Sequence, residues 1–366
     1  MLYGRSPALP PEVIDLIVDN LHRDSSILRT CGLVSRDWLA ASRHHLYSGV
    51  CLPRRNLNTF LDLIKSLFRL RGLLVVGFLH AEIVQLWPLL PALSYLHSLH
   101  IYGKLLSVDD GSLEMKRLPQ LDTLSLSTAH FSSYHSFTRF LSQFPGLRTL
   151  KLENVSCVPL SENSPLPSLR LELSTLHVTL TAGILGWLKS TDFPLRSRCL
   201  ELDIPTTDPI MSEYFEALAT HPQELTLIFY AASQLAIFSE KPMLKFNTAL
   251  RSIRITRALW ISGESEVRAA PALGRLLMQL PSSCLEELIF DAALEYPGIV
   301  PSTASARDAA EILDGLAFAG LKRIEFYGPW DRVDDILGKQ FRSAIVALLP
   351  LQSARGIVRI GAHRFE

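Results

Sequence analysis

Apolar residues recur along most of this chain at a fixed spacing. Leu96-x-x-Leu99-x-Ile101, Leu121-x-x-Leu124-x-Leu126, Leu147-x-x-Leu150-x-Leu152 and Leu173-x-x-Leu176-x-Val178 share one pattern, and their middle positions, 99, 124, 150 and 176, fall 25 or 26 residues apart. The step holds earlier, at Tyr47-x-x-Val50-x-Leu52 and Leu70-x-x-Leu73-x-Val75. It continues through Leu200-x-Leu202-x-Ile204, Leu225-x-Leu227 and Leu250-x-x-Ile253-x-Ile255. Beyond residue 255 it lengthens, with middle positions at 288 and 324 and a last unit at Ile357 to Ile360. Alternating apolar residues over so short a run predict one strand per unit, because successive side chains of a strand point to opposite faces. The segments between carry helical periodicity at Leu57–Leu67, Glu82–Leu90, Ser136–Phe144, Thr181–Lys189, Asp208–Thr220, Glu266–Leu280, Ala306–Phe318 and Asp331–Leu349. Pro91, Pro119, Pro145, Pro167, Pro222 and Pro281 stand just before the next strand, where a residue without an N–H stops a helix.

One strand and one helix cannot bury their own apolar face, but stacked copies build a continuous core. The expected fold is therefore α/β, a solenoid over residues 51–366 with parallel strands inside and helices outside, and the unit resembles a leucine-rich repeat. A doubly wound sheet and a closed barrel are the alternatives for strand–helix alternation. Ten or so strands at a steady short spacing favour the solenoid. Regular repeats of that family often place asparagine three residues past the last strand leucine, where this chain has Lys104, Ala129 and Val155. Irregular repeats of unequal length are expected. Pro159–Pro167 and Tyr296–Ser305 read as surface loops.

Residues 1–50 follow a different pattern. Pro10-Pro11-Glu12 opens a helix on which Ile14, Ile17, Val18 and Leu21 form one apolar stripe, with Asp15 and Asp19 off that face. Asp24 and Ser25 can cap a second helix carrying Ile27, Leu28 and Cys31, ended by Gly32. Ser35 can cap a third with Trp38, Leu39 and Leu46. So small a bundle buries too little surface to stand alone, leaving apolar residues for a partner. The ordered series Leu9-Pro10-Pro11-Glu12-Val13-Ile14, Ile17, Leu21, Leu28, Cys31, Leu33-Val34-Ser35-Arg36 and Trp38 resembles an F-box, with Ser35 where that family often has cysteine. The resemblance implies docking to a Skp-type adaptor, and through it to a cullin, by Leu9, Pro10, Ile14, Ile17, Leu28 and Val34. The repeats would then hold a target protein, making the chain a substrate-recognition subunit of a ubiquitin ligase.

Composition narrows the partners. Lys plus Arg and Asp plus Glu both number 36, so no overall basic field exists to hold nucleic acid or an anionic membrane. No apolar run reaches membrane-spanning length, and no basic and apolar leader opens the chain. Five cysteines, Cys31, Cys51, Cys157, Cys199 and Cys284, are widely spaced and never in a Cys-x-x-Cys pair, which predicts neither a disulfide framework nor a zinc site. Asn154-Val155-Ser156 fits a glycosylation sequon but reads as coincidence in a chain expected in cytoplasm or nucleus.

Phosphate-binding glycine loops, nucleophile elbows and His-Glu-x-x-His are absent from the sequence. His44-His45, Asp109-Asp110 and Asp334-Asp335 read as surface or helix-start residues, and Trp38, Trp87, Trp187, Trp260 and Trp330 as packing residues. Neither catalysis nor a cofactor is expected. Strand alternation turns His100, Ser125, Lys151, His177, Glu201, Thr226, Arg254, Ile289, Glu325 and Arg359 away from the core. Among them His100, Lys151, His177, Glu201, Arg254 and Glu325 are the candidate target contacts. The competing reading is a repeat scaffold without a ligase role, whose N-terminal helices merely cover the exposed end of the solenoid.

Overall fold

The predicted strands all form, in register with their neighbours within each of two compact units, in a computed structural model of the chain. The structure describes residues 9–21, 24–35, 37–39, 41–42, 49–63, 70–108, 117–158, 169, 171–179, 183–190, 197–204, 215–216, 222–260, 264–281, 283–293, 304–313, 318, 320–328 and 336–362. Two compact units are distinguished, one of residues 1–147 and 155–167, the other of residues 148–154 and 168–366.

In the first unit β1 (Gly49–Pro53), β2 (Gly72–Phe78), β3 (Ser98–Val108) and β4 (Thr123–Phe131) pair in chain order, all parallel. The register joins Val50 to Leu73, Leu73 to Leu99 and Leu99 to Leu124, the middle residues of the repeated pattern. β6 (Ser156–Cys157), which the pattern does not predict, pairs with the far end of β4. In the second unit β5 (Thr149–Glu153), β7 (Thr175–Thr179), β8 (Cys199–Asp203), β9 (Glu224–Ile228), β10 (Ser252–Trp260), β11 (Glu287–Ala293), β12 (Arg323–Gly328) and β13 (Val358–Ala362) are likewise sequential and parallel.

Strictly sequential parallel order within each unit differs from a doubly wound sheet, whose order reverses at a switch point. With crossovers of the usual right hand it keeps the helices on one side. The strand leucines face that side: Leu150, Leu176, Ile253, Leu288 and Ile324 are wholly buried. Helix Glu264–Met278 packs between helices Ala232–Glu240 and Ala304–Leu313. The architecture is α/β with parallel strands and helices, compatible with a solenoid.

A turn repeats at one place in the unit. Gly77, Thr128 and Asn154, each two residues past the last apolar strand residue, have φ of 74°, 61° and 50°. The next residue is then aimed inward: Phe78, Ala129 and Val155 are all buried. Ala129 and Val155 are two of the positions that lack the family's asparagine, so apolar packing stands where a polar ladder would.

Aromatic packing fills the first unit. Helix Tyr134–Leu141 is capped by Ser133, whose hydroxyl accepts from the Ser136 N–H at 3.1 Å. Its Phe140 stacks on Trp87 with ring centroids 5.4 Å apart, and its Phe137 lies 4.7 Å from Phe131. Trp187 is buried in the second unit, and Trp38 is half-buried.

Several helices depart from expectation. The segment expected at Glu82–Leu90 is an α-helix over His80–Leu86 and a 3-10 turn over Trp87–Ala92, because Pro88 and Pro91 deny it α-helical donors. Helix Ala232–Glu240 was not expected. It is built mostly of small and apolar residues, so its sequence shows little polar stripe, and Ile237 stays 43% exposed. Helix Ala304–Leu313 begins inside the segment expected to be a loop. Of Asp208–Thr220 only helical residues 215–216 are described. The loop 159–167 and the pairs His44-His45, Asp109-Asp110 and Asp334-Asp335 lie outside the described residues, as does Trp330.

Candidate functional site: the N-terminal helices and the outward strand face

Helix α1 (Pro11–Asn20) begins where proline fits the first turn, and the Val13 and Ile14 N–H groups donate to the Pro10 carbonyl at 3.0 and 3.2 Å. Asp24 caps α2 (Ser25–Cys31), accepting from the Ser26 and Ile27 N–H groups, both at 3.0 Å. Ser35 stands before further helical backbone at 37–39, its hydroxyl 3.4 Å from the Trp38 nitrogen. Ile14, Val18 and Leu28 form the small core, with Leu21, Trp38 and Ala41 packed around it.

The candidate adaptor contacts divide. Leu9 is 48% and Val34 64% exposed, Pro10 is exposed and Ile17 half-buried. Ile14 and Leu28, at 4% and 1%, belong to the core of the helical segment and present almost nothing to a partner. Sequence reasoning passed over the apolar residues that do reach solvent: Val13, Leu16, Ile27 and Leu33, the last 87% exposed. The signal was present. Val13 and Leu16 lie three apart at the edge of the Ile14, Ile17, Val18 and Leu21 stripe, so the apolar face of α1 is wider than its buried part.

The second candidate is the outward face of the strands. Register places Lys151 beside His177, His177 beside Glu201, Glu201 beside Thr226, and Thr226 beside Arg254. Beyond it come Ile289, Glu325 and Arg359. The residues named from alternation thus form one continuous row across the second unit. In the first unit His100 is half-buried beside Ser125, which is buried.

Many of the row's charges are already engaged. His177 Nδ1 lies 2.7 Å from Glu201 Oε2. Burial alone would raise the Glu201 pKa, but the His177 hydrogen bond and charge, with Lys151 and Arg254 further off, hold it below the usual carboxylate range. Arg254 donates from Nε and Nη2 to the two oxygens of Asp291 at 2.9 and 3.1 Å, and its guanidinium sits 5.7 Å from the Tyr327 ring centroid. Glu325, 8% exposed, accepts from the Tyr327 hydroxyl at 2.9 Å and lies 3.4 Å from Arg323. Lys151 and Arg359 are exposed.

Other chemistry is sparse among the described residues. His130 Nδ1 lies 2.7 Å from Ser156 Oγ, a serine–imidazole contact that no carboxylate completes among those residues. They hold no group of three His, Cys, Asp or Glu side chains able to bind a metal ion, and no helix long and apolar enough to cross a membrane. Burial pushes the Cys157 thiol up to about 12, and the described cysteines are unpaired. A cavity of about 360 Å³ opens near the starts of β10, β11 and β12 between Arg251, Cys284, Glu286 and Lys322. No protein-family description matches the sequence, and no curated protein is similar enough to be counted a relative.

Proposed function

We propose that the chain is the substrate-recognition subunit of a cullin–RING ubiquitin ligase, its N-terminal helices docking a Skp-type adaptor and its strand face holding a target protein. Catalysis would then lie in other subunits, and this chain would contribute proximity and raised local concentration. One observation carries the reading: Leu9, Val13, Leu16, Ile27, Leu33 and Val34 are all exposed large apolar residues within 26 positions of one helical segment. A soluble protein rarely leaves so many together unless a partner covers them. A segment that only covered the end of a solenoid would present a polar outer face, so this crowding disfavours the scaffold reading.

Capture of a purified Skp-type adaptor tests the proposal. Leu16→Asp with Leu33→Asp replaces exposed residues only, so the fold should survive while capture drops by at least about 2 kcal/mol, the loss typical of a central interface anchor. Ile14→Asp is a poorer probe, because it would unfold the helices before it touched a partner. No capture by the unaltered chain, or full capture by the folded double variant, would sink the assignment.

A further inference from the structure

The backbone of the second unit bonds forward by one rule. A residue of the buried row donates to the outward row of the next strand: Ile204 N–H to Ile228 O at 3.0 Å, and Ile324 N–H to Ile357 O at 2.9 Å. Along a parallel strand, successive residues turn both backbone groups to opposite neighbours. Ile357, Arg359 and Gly361 therefore turn theirs to β12, and Val358 and Ile360 turn theirs the other way. β13 ends the strand order, so among the described residues no strand lies on that side to receive them.

Side chains at this edge are incompletely covered. Leu288 and Ile324 of the buried row are wholly buried, and Phe290 and Phe326 nearly so, but Val358 and Ile360, the same row on the last strand, are only half-buried. Proteins usually blunt an open edge with proline, a bulge or charge. The first unit does so at β1, where the same rule leaves Gly49, Cys51 and Pro53 on the free edge and Pro53 has no N–H to offer. β13 has neither proline nor bulge, and its one charge is the exposed Arg359 on the outward side. Glu325, beside it in register, is held by the Tyr327 hydroxyl and Arg323, so no described acid pairs with Arg359.

We infer that the free edge of β13 takes up an extended segment of a partner protein as an added strand, with apolar residues at alternate positions beside Val358 and Ile360 and an acidic residue beside Arg359. The N–H and C=O groups of Val358 and Ile360 supply the backbone bonds, the half-covered row supplies apolar contact, and Arg359 selects the charge. A second copy of this chain fits less well. Two β13 strands paired antiparallel about Arg359 would set that residue opposite itself, and like charges directly opposite are destabilising. The β1 of a second copy, continuing the parallel row, would bring Pro53 to the place where an N–H must donate to the Ile360 carbonyl. The edge is a separate surface from the outward strand face, and the proposal rests neither on that face nor on adaptor docking.

The full chain is titrated with a short labelled peptide that alternates valine with glutamate and threonine. Only every second N–H of a strand faces its neighbour, so N-methylation of one alternate set of residues should weaken binding at least about tenfold while methylation of the other set leaves it intact. Lysine in place of glutamate should weaken binding about threefold, and Arg359→Glu should reverse that preference. Val358→Pro removes an N–H that faces the free edge, at the first residue of an edge strand where proline is tolerated, and should abolish binding. No binding, equal loss from both methylated sets, or an unchanged glutamate preference in folded Arg359→Glu would overturn the inference, whether or not Val358→Pro folds. So would a dimer of the unaltered chain that Arg359→Glu or Val358→Pro dissolves, which would give the edge to a second copy. Adaptor capture is measured alongside: capture without peptide binding removes this proposal alone, and peptide binding without capture removes the ligase reading alone.

Discussion

Thr128 holds a β-branched side chain at φ 61°, a conformation in which the Cβ crowds the following carbonyl at a cost of about 1–2 kcal/mol. Gly77 occupies the same place in its repeat at φ 74° without that penalty. Thr128→Gly should therefore raise stability by about 0.5 to 1 kcal/mol after the extra chain entropy of glycine, and Gly77→Ala should lower it by about 1 kcal/mol. Urea unfolding of the two variants checks both signs, and a destabilising Thr128→Gly would remove the argument from strain. Glu201 gives a pH prediction. Its folded pKa is depressed, so its contribution is complete above the unfolded carboxylate value and is lost as pH falls through the lower folded value. The melting temperature of Glu201→Gln should fall below that of the unaltered chain at pH 7, and the two should converge on acidification below the ordinary value of 4.5. A constant gap would mean that the His177 contact contributes nothing through charge.

At the scale of elements, caps and aromatic packing decide which helices stand. Asp24 satisfies two N–H groups at the start of α2, and this helix supplies Leu28 to the small cluster it forms with Ile14 and Val18. Asp24→Ala should cost about 1 kcal/mol and loosen the N-terminal helices before the strands. Hydrogen exchange at Leu28 and Cys31 rising ahead of exchange at Leu124 would show it, whereas simultaneous opening would contradict it. Phe140 is different, for it touches Trp87, Phe131 and Phe144 inside the first unit. Phe140→Ala should cost about 3–5 kcal/mol, the range for removing a buried aromatic ring, and calorimetry should place the loss in the transition that carries Trp87 fluorescence.

For the whole molecule, zero formal charge at pH 7 removes the self-repulsion that keeps proteins apart. The exposed apolar residues of the N-terminal helices add a reason to associate. Light scattering of the isolated chain should therefore be strongest near neutral pH and fall toward pH 9. Co-expression with a Skp-type adaptor should raise the monodisperse yield by covering Leu16, Leu33 and their neighbours. Equal yields with and without it would mean that this surface is not the cause.

Apart from β6, the described strands and their register within each unit were legible in the apolar spacing. Leu99, Leu124, Leu150 and Leu176 recur because one buried row needs one apolar residue per repeat, and a slip of a single residue would turn each of them to solvent. The sequence also determined that Lys151, His177, Glu201, Arg254 and Glu325 share the opposite face, since alternation leaves no other place for them. Which of those charges are already engaged follows from contacts between strands distant in sequence. Arg254 and Asp291 are 37 positions apart in sequence and meet because β10 and β11 pair. The division of α1 is also tertiary. Ile14 and Leu16 are equally apolar to a reader of sequence, but Leu28 of α2 packs with the first while the second stays bare, because so small a helical cluster cannot enclose every apolar side chain around it.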